Sequence, residues 1–265
     1  MKDVQKFKDD RNVDIQKVGI KNFELPLCIQ RKDCSEPQIV CAKARVNVSL
    51  PRDYKGTHMS RFVEVLTEMQ TKNLAAFDIK VCIEKIIRKL EAQSGDLILQ
   101  FKYFINKKSP VTNNVAAMCY DCSFEGRIVD GNFKFVLGAV VPVTTLCPCS
   151  KEISDNGAHN QRALISVKVA YDEEAQSIWL EDLIEMIEAC SSCPVYPLLK
   201  REDEKYVTEK AWNNPKFVED VLRDVVVAMR KLPNVKEFDV DCEAFESIHN
   251  HSAWLTLASP SYCRP

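Results

Sequence analysis

From Val40 to Leu50 apolar and polar residues alternate without a break. Val40, Ala42, Ala44, Val46 and Val48 take one parity, and Cys41, Lys43, Arg45, Asn47 and Ser49 the other. Successive side chains of a strand point to opposite faces, so this period of two describes a half-buried strand and cannot serve a helix. After Pro51 the period changes. Phe62, Val65, Leu66 and Met69, then Ile79, Cys82, Ile83, Ile86, Ile87 and Leu90, recur at helical spacing and predict two consecutive amphipathic helices, the second stopping at Gly95. Leu97, Leu99, Phe101, Tyr103 and Ile105 restore the alternation. Further strands are expected near 115–127 and 132–142, with Asp130-Gly131-Asn132 as a hairpin turn.

The second half repeats this order. Ala163, Ile165, Val167 and Val169 predict a strand, and Leu180, Leu183, Ile184 and Ile187 a helix. An irregular, proline-containing stretch follows, CSSCPVYPLLKREDEK, and then a helix using Phe217, Val221, Leu222, Val225 and Met229. Short strands are expected near 235–243 and 252–258. Each half thus reads as strands, two helices, strands, an α+β plan. Only seven glycines occur and no low-complexity linker marks a hinge, so two intimately packed modules are expected, 1–130 and 131–265.

The 265 residues are 46% hydrophobic, with a net charge of -2. Such a balance supplies no global field for a nucleic-acid backbone, so no nucleic-acid partner is expected. The charged start lacks the apolar core of a signal peptide, and no apolar run reaches about 18 residues, so a cytoplasmic protein without a membrane partner is expected. In that compartment thiols stay reduced, and among twelve cysteines those that matter should bind metal or act as nucleophiles. Cys28, Cys41, Cys82 and Cys242 sit among apolar neighbours and are expected to behave as small buried hydrophobes.

Three of the four histidines lie in polar, turn-like contexts: His159 in GAHNQR, and His249 and His251 in FESIHNHSA. With Cys147, Cys149 and Glu246 they offer the thiolate, imidazole and carboxylate mixture that zinc and neighbouring transition metals prefer. Cys147 and Cys149 flank Pro148, and on an extended chain both thiols would face one pocket. A closed four-cysteine zinc site is not expected, because Cys119 and Cys122, three apart in a strand, point to opposite faces. Cys190 and Cys193 follow a helix C-terminus, whereas a redox pair needs a helix N-terminus to lower its thiol pKa.

Carboxylates supply the other half of a site, notably Glu202, Asp203, Glu204, Glu219 and Glu246. An ionised carboxylate accepts hydrogen bonds only, which suits the amide and amino edge of guanine; spacing does not choose which one does so. GTHMSRF at 56–62 opens the first long helix, where free backbone N–H groups, Ser60 and Arg61 would suit a phosphate, or where Thr57 is simply the N-cap. The chain has no GxxxxGK[ST] element, so a P-loop is excluded.

Four segments together resemble the type IB GTP cyclohydrolases: GTHMSRF at 56–62, CPCSKEISDNGAHNQR at 147–162, the run CPVYPLLKREDEKYVTEKAWNNPKFVEDVLRD at 193–224, and FESIHNH at 245–251. Asn250 departs from the pattern, where proline is expected between the two histidines. The resemblance implies a tunnelling fold, in which antiparallel sheets from several modules close into a barrel with helices outside. It further implies a homotetramer with active sites at subunit interfaces, GTP as substrate, and a divalent metal ion, zinc, manganese or iron. The implied reaction hydrolyses GTP to 7,8-dihydroneopterin triphosphate and formate, the first step toward folate. Some relatives release a cyclic phosphate instead. By this resemblance Cys147, His159, Glu204 and His249 belong to the metal or its proton-transfer shell, with Cys147, His159 and His249 catalytic. Glu219 and Glu246 are assigned to the guanine edge, and Arg61, Lys200 and Arg201 to the triphosphate. A tunnelling-fold nitrile reductase of the queuosine pathway would use a cysteine nucleophile instead, and the histidines of FESIHNH disfavour it. A non-catalytic zinc- or purine-binding module is the remaining alternative.

Overall fold

The computed structural model describes residues 5, 7–33, 36–171, 178–232 and 234–262. They form two compact units, Met1–Lys102 with Cys122–Leu137, and Tyr103–Asp121 with Gly138–Pro265.

In the first unit, β1 (Ile15–Ile29), β2 (Gln38–Leu50) and β3 (Asn73–Leu74) are followed by β4 (Gly95–Lys108), and the strand order is β3-β1-β2-β4. β2 pairs antiparallel with both β1 and β4. One parity of β2, from Val40 to Leu50, is buried, as its alternation required. Helices α1 (Met59–Glu68) and α2 (Ala76–Leu90) carry Phe62, Val65 and Leu66, and Ile79, Cys82, Ile83 and Ile86, into this core. α2 ends before the expected glycine. Glu91 takes a left-handed conformation (φ 56°) and its N–H caps the last turn, which leaves Gly95 free to open β4. β5 (Val115–Val129) and β6 (Asn132–Leu146) meet at Asp130 and Gly131, whose φ angles of 50° and 76° are the pair that a two-residue hairpin loop requires. Phe124 packs edge-on against Phe101 and tilted against Phe135.

β4, β5 and β6 contribute residues to both units. In the second unit β6 is followed in space by β7 (Asn160–Tyr171), β9 (Val235–Ala244) and β10 (Ala253–Ala258), and β8 (Cys193–Pro194) also pairs with β6. The expected inward residues Ala163, Ile165, Val167 and Val169 are all buried. α4 (Leu180–Ala189) and α6 (Val218–Lys231) use the predicted apolar stripes, except that Phe217 stands exposed at the N-cap and Val218 is buried in its place. The short α3 (Pro148–Ile153) and α5 (Arg201–Asn213) were not legible as helices. Among the described residues no helix is long and apolar enough to cross a membrane.

At Gly19 the backbone of β1 lies close against that of β2. A Cβ there would lie 2.0 Å from Val46 O and 2.6 Å from Asn47 Cα, both backbone atoms that cannot swing away. Gly19→Ala should therefore cost about 2 kcal/mol or more through overpacking, seen as a lower urea midpoint with an unchanged slope. An unchanged midpoint would show that the two strands separate here at little cost.

Candidate active site

The second unit places Cys147 and His159 side by side. Cys147 directly follows β6 and caps α3, with its Sγ accepting from Ser150 N at 3.4 Å. Its backbone N–H donates to His159 O at 3.1 Å. In return His159 N–H donates to Ser150 Oγ at 3.1 Å, and that hydroxyl donates to Cys147 O at 3.2 Å. The polar run between them, which packing alone does not explain, is therefore a loop tied shut at its neck. Pro148 takes the first helical position of α3, where its missing N–H costs nothing. Cys149 is consequently helical and exposed while Cys147 is half-buried, so the extended-chain argument for two thiols facing one pocket does not hold.

Side chains extend the junction. His159 Nδ1 lies 3.1 Å from Gln161 Oε1, and Gln161 Nε2 donates to Thr145 Oγ1 at 3.1 Å and to Glu246 Oε1 at 3.4 Å. His249 and His251 stack on one another in the loop between β9 and β10, ring centroids 5.1 Å apart, and both are exposed. Glu204, Lys200 and Arg201 lie exposed at the start of α5, and Glu219 is exposed in the first turn of α6. The α5–α6 connection is tied to the same neck through Lys216 N donating to Leu146 O at 3.0 Å.

Asp203 holds the start of α5. It is fully buried and accepts from Val111 N, Thr112 N, Thr112 Oγ1 and Lys200 N, at 2.9, 2.9, 2.6 and 2.9 Å. Burial pushes its pKa up, but these donors together outweigh it and hold the carboxyl well below its ordinary range. The turn after β4 thereby fixes the segment carrying Lys200, Arg201 and Glu204. A second buried network lies nearby in sequence. Lys107 Nζ donates to Glu188 Oε1 and Val195 O, both at 2.6 Å, Tyr120 OH donates to the same Glu188 oxygen at 2.8 Å, and the ammonium sits over the Tyr196 ring. Tyr196, Trp212, Leu146, Ala158, Val207 and Arg162 contribute to the lining of a cavity of about 470 Å³. Asn160 and Arg162 face it, on the opposite parity of the strand from Gln161.

The first unit carries Arg61, whose Nη1 donates to Lys89 O at 2.9 Å. His58 occupies the N-cap of α1 in place of Thr57, with no side-chain cap bond. The remaining cysteines sort as small hydrophobes with one correction: Cys82 and Cys242 are buried and Cys28 half-buried, but Cys41 is exposed on the outer parity of β2. Burial pushes the Cys82 and Cys242 thiols up to about 12 and raises Cys190 and Cys193 as well, the opposite of an activated redox pair. Cys119 is exposed and Cys122 buried, on opposite faces as their spacing implied.

Cys147 and His159 supply donor atoms of the right chemistry for a zinc-like ion. Among the described residues, however, no three His, Cys, Asp or Glu side chains gather closely enough to hold a metal.

The model of the family described as type I GTP cyclohydrolase folE2 matches residues 1–254. The chain belongs to that family. It is 47% identical over 257 residues to GTP cyclohydrolase FolE2 of Geotalea uraniireducens, covering 97% of this chain and 93% of the relative. To GTP cyclohydrolase FolE2 of Thermosipho africanus it is 45% identical over 259 residues, covering 98% of each. Among solved structures it resembles uricase from Arthrobacter globiformis, with a TM-score of 0.54 at 7% identity over 94% of this chain and 96% of that one. A uricase from Bacillus fastidious gives a TM-score of 0.55 at 9% identity over 92% of both chains. At such identities the likeness concerns the fold alone, the α+β tunnelling fold.

The candidate carboxylates were legible from charge and context, but Gln161 and Asp203 as organisers were not, because their partners lie on other strands and turns. For a carboxyl with a depressed folded pKa, stability is complete above the unfolded value, about 4, and is lost as pH falls through the lower folded value. Asp203→Asn should therefore be less stable than the parent chain at neutral pH, with the gap narrowing as acid is added below pH ~4. A gap independent of pH, followed by denaturant melts across an acid series, would contradict the ionised assignment.

Proposed function

We propose that this chain converts GTP and water to 7,8-dihydroneopterin triphosphate and formate, as a cyclohydrolase acting on a cyclic amidine. The observation carrying this reading is the closed Cys147–His159 junction within a chain of the cyclohydrolase family. Hydrolysis must open the imidazole ring of guanine, release C8 as formate and then rearrange the ribose to close the pterin ring. Glu219, and with it Glu246, would accept from the N1–H and 2-amino groups of the base. Arg61, Lys200 and Arg201 would meet the triphosphate oxygens. His249, or His159 once its Nε2 has taken a proton from water, would deliver a proton to the ring nitrogen as its bond to C8 breaks.

We assign Cys147, His159, Glu204 and His249 to a divalent ion, zinc, manganese or iron, or to its immediate proton-transfer shell. We further propose that a homotetramer, as the family resemblance implies, completes this donor set at its subunit interfaces. A bound ion would supply a polarised water of near-neutral pKa. The cysteine usage suits a cytoplasmic enzyme.

Incubation of the chain with GTP and each of the three metals should yield formate and pterin fluorescence; no turnover with any of them would overturn the reading. Mass spectrometry of the product would separate the triphosphate from a cyclic phosphate. Cys147→Ala should abolish turnover and lower metal occupancy, while Cys190→Ala, whose buried thiol donates to Met186 O, should leave both nearly intact. Equal losses would refute this sorting. Glu219→Gln should weaken GTP binding by about 2 kcal/mol or more, the cost of a lost hydrogen bond to a charged group, or about 30-fold in affinity. Unchanged affinity would move the guanine anchor to another carboxylate.

A further inference from the structure

We propose that Gln161 is a positioning residue that holds His159 in its Nδ1–H tautomer, leaving the Nε2 lone pair for the reaction; this rests on the reading of His159 as a functional group. The geometry follows from the register of three strands. Cys147 N–H donates to His159 O across β6 and β7, so two residues further along each strand Gln161 stands opposite Thr145. On the other side β7 pairs with β9 with Ala163 opposite Ala244, and Phe245 N–H donates to Arg162 O. Continuing that register sets Gln161 opposite Glu246. His159 immediately precedes β7, and its ring meets the Gln161 amide at 3.1 Å, so the two side chains project together on the Gln161 side of the strand.

The direction of the amide then follows from what each partner can do. An ionised Glu246 carboxylate accepts only, so the Gln161 atom turned toward it, at 3.4 Å, must be the Nε2 donor. The same Nε2 reaches the buried Thr145 hydroxyl at 3.1 Å. Gln161 Oε1 is thereby turned to His159 Nδ1 at 3.1 Å, and an amide oxygen can only accept. Nδ1 must carry the proton, and Nε2 of a neutral imidazole is then the free base. Glu246 contributes by fixing the amide, and Gln161 by fixing the ring.

The test is the tautomer itself, read by long-range proton–nitrogen correlation on the full chain labelled with nitrogen-15 in its four histidines. The His159 signals are identified by their loss in His159→Gln. A metal on Nε2 would enforce Nδ1–H unaided, so spectra are taken both as purified and after dialysis against a chelator. Nδ1–H should persist after chelation in the parent chain and lose its dominance in chelated Gln161→Leu. It should return in the exchanged pair Gln161→Glu with Glu246→Gln, where acceptor and donor trade places. An Nε2–H ring in the chelated parent, or an unaltered tautomer in chelated Gln161→Leu, would overturn the proposal. Formate release by Gln161→Leu should fall about 10- to 100-fold, the usual loss when the partner orienting a functional histidine is removed, in kcat more than in KM. A shifted tautomer with undiminished formate release would leave the hydrogen bond standing and overturn the part assigned to His159 in the reaction.

Discussion

The hydrogen bond from Cys147 N–H to His159 O is the constraint on which the candidate site depends. It brings together two residues separated by a helix and a polar loop, and it sets the register from which the neighbouring contacts follow. Without it neither the Ser150 hydroxyl, bonded to both ends of the neck, nor the Gln161 amide would have its partners. The bond lies at the mouth of the β6–β7 ladder, where Cys147 follows one strand and His159 precedes the other. A thiol and an imidazole anchored to the ends of adjacent strands are therefore preorganised before any ligand arrives.

The buried carboxylates Asp203 and Glu188 are hydrogen-bonded, which is what makes them tolerable. Asp203 carries four hydrogen bonds and Glu188 two, and a buried carboxylate with fewer partners would incur a large desolvation penalty. Each network also ties an irregular segment to the regular frame. Asp203 joins the turn after β4 to the start of α5, and Lys107 joins β4 to the segment just after β8 through Val195 O and the Tyr196 ring. The exposed charges Glu204, Lys200 and Arg201 thus stand on a firm base.

Much of the frame was legible because burial on one face writes a period into the chain. β2, β4 and β7 were found from their alternation, and α1, α2, α4 and α6 from apolar stripes whose members are buried. α5 escaped because it has no such stripe: among its residues only Asp203 and Ala211 are buried, so its polar run read as irregular. β1 escaped for a related reason, since its burial begins only at Leu25 and the preceding residues show no apolar parity. Cys41 misled by its apolar surroundings, although its parity on β2 placed it outward.

The sequence alone determined the period of most elements, the α+β class, the hairpin at Asp130-Gly131, the sorting of most cysteines and the family through its four segments. Tertiary structure alone decided that Cys149 lies exposed on a helix, that Asp203 organises α5, and that Gln161 lies between Thr145 and Glu246. The physical reason is that periodicity is a local property, read within one element from which side chains meet water. Hydrogen-bond partners across strands depend instead on register, and register is settled only when separate parts of the chain pack.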